Sequence, residues 1–97
     1  MVDPEKIEGS KTLKKLAKKD YGPDAEVSAS KMNFPVPGSV AVDVKESKGG
    51  RIREQVYIGK TSEEDEDKVL GYGIQPFDPE EESGHVTEKL KEYFDEI

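Results

Sequence analysis

The chain is 97 residues long, 32% hydrophobic and 38% charged, with a net charge of −7; it holds no cysteine, no tryptophan and one histidine. That size makes one domain with a small core, and the composition excludes disulfides, thiolate metal sites, cysteine nucleophiles and a poly-histidine metal centre. Charge is unevenly split: residues 1–60 carry 12 Lys/Arg and 9 Asp/Glu, whereas residues 61–97 carry 3 Lys and 13 Asp/Glu. A polarised charge distribution suggests recognition of a charged partner.

Asp3-Pro4-Glu5-Lys6 reads as a short helix start, with Asp as N-cap and Pro at the first position, interrupted by Gly9. A helix over about 10–20 follows, because Leu13, Leu16, Ala17 and Tyr21 share one face and Gly22-Pro23 ends it. Lys11, Lys14, Lys15, Lys18 and Lys19 take its remaining faces. Such a face is either a helix's solvated side or a site for an anionic partner.

Strands are expected at about 25–34, 39–47, 51–59 and 68–75. In the first, Val27 and Ala29 share one parity while Met32 and Phe34 share the other, which predicts a bulge or a register change near Ser30–Lys31. Pro35-Val36-Pro37-Gly38 is a turn. The next two strands form the clearest hairpin. Centring its turn on Gly49 sets Val40 opposite Ile58, Val42 opposite Val56 and Val44 opposite Glu54, with Asp43 against Gln55 and Lys45 against Arg53. The base of this arm is buried and its tip, with Lys48 and Arg51, stands in water. In the fourth strand Leu70, Tyr72 and Ile74 share a face, and Gly71 and Gly73 leave the other face bare.

Asp78-Pro79-Glu80-Glu81 fits a capping box, and Val86, Leu90, Tyr93, Phe94 and Ile97 form the apolar stripe of a helix over about 84–97. The fold class is therefore α+β: a four-stranded, mainly antiparallel sheet with an N-terminal and a C-terminal helix on one face, in the order α-β-β-β-β-α. Residues 1–97 form one domain, with the order of residues 1–9 and 60–68 left open.

The candidate interaction surface is the basic hairpin, Lys45, Lys48, Arg51 and Arg53, with Tyr57 beside it as an aromatic on the sheet face away from Val56 and Ile58. His85 lacks any signature of an orienting partner or nucleophile, and Gly71-Tyr72-Gly73 matches neither nucleotide-binding fingerprint. The acidic run Glu63–Asp67 lacks the spacing of a calcium loop. No catalytic residue, metal ligand or cofactor site is assigned. The expected function is a non-enzymatic binding or regulatory protein acting on a protein partner through segregated charge. The alternative is a nucleic-acid-binding domain using the hairpin and the lysine-rich helix, and the third reading is a small enzyme or ion-binding protein. No apolar run reaches membrane-span length and the N-terminus lacks the apolar core of a signal peptide, so a cytoplasmic location is expected. Monomer and homodimer remain open, since a sheet edge can pair with a copy of itself.

Overall fold

A computed structural model describes residues 2–33, 36–60, 66–74 and 84–94. The elements run α1 (Pro4–Glu8), α2 (Lys11–Tyr21), β1 (Glu26–Met32), β2 (Ser39–Lys45), β3 (Ile52–Gly59), β4 (Lys68–Ile74) and α3 (His85–Tyr93). The strands form one antiparallel sheet in sequence order, β1-β2-β3-β4. Short connections let each strand pair with its predecessor, which yields this meander.

Alternation puts Val27 of β1, Val40, Val42 and Val44 of β2, and Val56 and Ile58 of β3 on one face. Ile7 of α1, Leu13 and Ala17 of α2, and Val86 and Leu90 of α3 close over that face, and all of these residues are buried in one core cluster. The core is narrow and valine-rich. Among the described residues no element covers the opposite face, which bears Ser28, Asp43, Gln55, Tyr57 and Gly71.

Local chemistry sets the helix ends. The Asp3 carboxylate accepts the Glu5 N–H at 2.9 Å, and the Ser10 hydroxyl accepts the Leu13 N–H at 3.3 Å. Gly22 leaves α2 with φ +108°, a conformation that favours glycine, and its α-carbon lies so close to Ser47 that an added Cβ would meet the Ser47 Cβ at 2.6 Å. α1 also protects the outer edge of the sheet: the Glu8 carboxylate accepts the Ala29 N–H of edge strand β1 at 2.8 Å.

Four expectations change. The β1–β2 register is unbroken from Glu26↔Lys45 to Met32↔Ser39, so β1 has no bulge. Met32 instead keeps its parity and is 40% exposed; Phe34 lies outside the described residues. A register shift does occur between Val44 and Lys45: Lys45 pairs with Ile52 rather than Arg53, so Arg53 is the extra residue. A second shift between Tyr57 and Ile58 brings Val69 opposite Ile58 and into the core, displacing Leu70 from the face shared with Tyr72. Finally, α3 ends at Tyr93 and Phe94 is extended (φ −132°, ψ 128°), while Ile97 and the capping box at 78–81 lie outside the described residues.

Candidate interaction surface

The hairpin tip is seated on the end of α2, which departs from a freely projecting arm. The Ser47 N–H donates to the Tyr21 carbonyl at 2.9 Å, and the Asp24 N–H donates to the Ser47 hydroxyl at 3.1 Å. Gly49 (φ +82°) and Gly50 (φ +64°) turn the chain beyond this anchor. Lys45, Lys48 and Arg51 are exposed. Arg53 is not available in the same way. The bulge turns its guanidinium to the α2 end, where it pairs with Glu46 at 3.1 Å and lies 5.4 Å from the centroid of the Tyr21 ring. Tyr57 stands between Ala41 and Gly71 on the sheet face opposite Val56 and Ile58 and is half-buried. The structure thus groups Lys45, Lys48 and Arg51 at the tip, ties Arg53 into an internal network, and leaves Tyr57 on a separate surface.

The network around Arg53 centres on Glu54, which is fully buried on the core face opposite Val44. One carboxylate oxygen accepts the Tyr21 hydroxyl at 2.6 Å; the other accepts the Thr87 N–H at 2.8 Å and the Thr87 hydroxyl at 2.7 Å. Gly84 is the N-cap of α3 and has no side chain to cap with. Glu54 therefore caps α3 from a different element, placing a negative charge at the positive end of the helix dipole. Gly84 has to be glycine here, because a Cβ would meet the Glu54 carboxyl carbon at 2.1 Å. Burial, followed by the hydrogen bond to Glu54, pushes the Tyr21 phenol well above its ordinary range. Beside this cluster His85 Nδ1 lies 2.6 Å from Asp20 Oδ2, a second tie between the end of α2 and the start of α3. His85 is exposed, as a surface histidine is expected to be.

Sequence reasoning put Glu54 on a mixed core face without finding this role. The available signal was one acid in the alternation Glu54, Val56, Ile58 facing Val44. The donors that satisfy it come from residues 33 positions away in each direction, which strand patterning does not register. Every buried side-chain polar atom among the described residues has a hydrogen-bond partner, so this cluster holds α2, β3 and α3 together and presents no unsatisfied group to a ligand.

The lysine-rich helix presents a surface of a single sign. Leu13 and Ala17 turn α2 onto the sheet, which directs Lys11, Lys14, Lys15, Lys18 and Lys19 outward, and all five are exposed. They extend along about 12 Å of helix. Asp20 is the one acid in α2, and it is engaged with His85. Among the described residues none of the five lysines has an ion-pair partner. α3 differs: there Lys89 pairs with Glu92 at 2.9 Å and Lys91 with Glu88 at 3.6 Å. All 15 Lys/Arg fall within the described residues, with 13 of the 22 acids, so the described body is slightly cationic.

Glu66 and Asp67 of the acidic run are described and residues 63–65 are not. Among the described residues no three His, Asp or Glu side chains converge as metal ligands would, and no helix is long and apolar enough to cross a membrane. Fold and surface together define a small α+β domain built on a four-stranded meander with a lysine-faced helix. Comparison of the chain with protein-family models, with curated proteins and with solved structures gives no match.

Proposed function

We propose that this protein is a small non-enzymatic binding module that docks the acidic surface of a protein partner on the lysine face of α2. The observation that carries this reading is the row of five exposed lysines on one helix without a carboxylate partner among the described residues. Like charges held on one face repel each other, and an acidic surface relieves that repulsion while steering the encounter. Two features favour protein over nucleic acid. The whole chain carries −7, and its long-range repulsion is weaker toward the sparser charge of an acidic protein surface than toward a phosphate backbone. Of the two arginines, the residue type best suited to forked phosphate contacts, Arg53 is committed to Glu46 and Tyr21. A cytoplasmic setting belongs to the same reading and rests on the cysteine-free chain.

The test is affinity capture from nuclease-treated cell lysate by the immobilised protein and by the triple variant Lys11→Glu, Lys15→Glu, Lys18→Glu. A protein retained by the wild type and lost from the variant supports the reading. Equal retention by both, or a protein retained from untreated lysate but not from nuclease-treated lysate, contradicts it.

A further inference from the structure

Resting on the lysine-face reading, we infer that the module recognises a short acidic segment carrying one bulky apolar side chain, and that this side chain enters a groove between α1, α2 and α3. The groove has a volume of about 210 Å³ and is lined by Lys6, Ile7, Ser10, Leu13, Leu90, Tyr93 and Phe94. That is below the usual 300–1,000 Å³ or so of small-molecule sites and suits a single side chain. Its floor is Ile7, Leu13 and Leu90, and Tyr93 at its rim is 53% exposed, one of two large apolar side chains so exposed among the described residues.

Charge decides the occupant. Lys6 is in the lining itself. Lys14 stands one helical turn beyond Ser10, its N–H donating to the Ser10 carbonyl at 3.1 Å, and Lys18 follows one turn further on. The apolar groove therefore runs out onto the Lys14–Lys18 row. A segment lying along this track meets apolar contact at one end and lysines along its length, which fits carboxylates flanking a Phe- or Leu-sized anchor. A basic or purely polar segment meets repulsion or an unfilled groove.

The experiment uses three short synthetic peptides and methyl-labelled protein followed by NMR: a Glu/Asp-rich peptide with one Phe, the same peptide with Ala for Phe, and a Lys-rich peptide keeping the Phe. The expected result is that the acidic Phe peptide shifts the methyl signals of Ile7, Leu13 and Leu90 and binds about tenfold more tightly than its Ala counterpart. The Lys-rich peptide should not bind. In the exposed-rim variants Lys6→Glu and Tyr93→Ala, each checked for an unchanged spectrum, the advantage of Phe over Ala should shrink. Equal binding of the two acidic peptides, both lost in the α2 triple variant, overturns the groove while leaving the lysine-face reading intact. Binding of neither acidic peptide at low salt overturns the groove too, and the lysine-face reading is then decided by the lysate capture. Contacts between Ile97 and the Ile7 and Leu13 methyls in the free protein would show that the chain fills the groove itself and would also overturn the proposal.

Discussion

The Glu54 carboxylate accepts the main-chain N–H of Thr87 at 2.8 Å, so a residue in the middle of a strand caps a helix 33 positions later. The same carboxylate accepts from the Thr87 and Tyr21 hydroxyls, and through these bonds α2, which carries the lysine face, is tied to β3 and α3.

Glu54→Ala should destabilise the domain by about 3 kcal/mol, since it strands the two buried Thr87 donors and the part-buried Tyr21 hydroxyl and removes the cap of α3. Glu54→Gln should cost about 1 kcal/mol: its oxygen still accepts from Thr87, while the charge at the helix N-terminus is lost. Urea denaturation of the two variants measures both, and equal losses would show that hydrogen-bond geometry plays no part.

Gly84→Ala should be as damaging as Glu54→Ala or nearly so, because its Cβ would fall 2.1 Å from the Glu54 carboxyl carbon, inside a cluster that has no room to retreat. Gly71→Ala on the opposite sheet face meets no described atom within 4 Å and should change stability by less than about 0.5 kcal/mol. The contrast between two Gly→Ala changes, measured in one denaturation series, isolates packing from backbone preference.

Stability should fall above the ordinary tyrosine range. The Tyr21 phenol is raised in the folded protein by burial and by its bond to Glu54, from an unperturbed value of 10.0. Below that pH both states keep the proton and the contribution is fully present. Above it the unfolded chain releases the proton first, so stability drops as pH rises. Denaturation midpoints from about pH 8 to about pH 11 should decline more steeply for the wild type than for Tyr21→Phe. Parallel curves would mean that Tyr21 ionises alike in both states.

Arg53→Ala should cost about 1 kcal/mol, from loss of the half-exposed Glu46 pair and of the contact with the Tyr21 ring. It should leave the lysine-face interaction unchanged, because Arg53 is turned into the network and away from α2's outer surface. Thermal melting and the lysate capture check the two halves separately.

The hairpin was legible because Val40, Val42 and Val44 alternate strictly and two glycines mark the turn; its central pairs, Val40 with Ile58 and Val42 with Val56, are those observed. The helices were legible from the spacing of Leu13, Ala17, Val86 and Leu90. What escaped were the places where periodicity breaks. The bulge at Arg53 and the one that brings Val69 into the core shift a strand by one residue, and no residue type on either side demands it. The lysine face was visible as five lysines, but Asp20, the acid of the same helix, is held by His85 from 65 residues away, which the sequence does not register. Glu54 escaped for the same reason: its meaning lies in Tyr21 and Thr87, both distant in the chain.

The most direct measurement is an amide chemical-shift titration of the isotopically labelled protein with the partner recovered from lysate. The largest shifts should fall on Lys11–Lys19 and on the adjoining groove residues Ile7 and Leu90, and they should diminish as salt rises. Shifts concentrated on Ser28, Asp43, Gln55 and Tyr57, with α2 unchanged, would place the interface on the sheet face away from the helices and contradict a lysine-directed module.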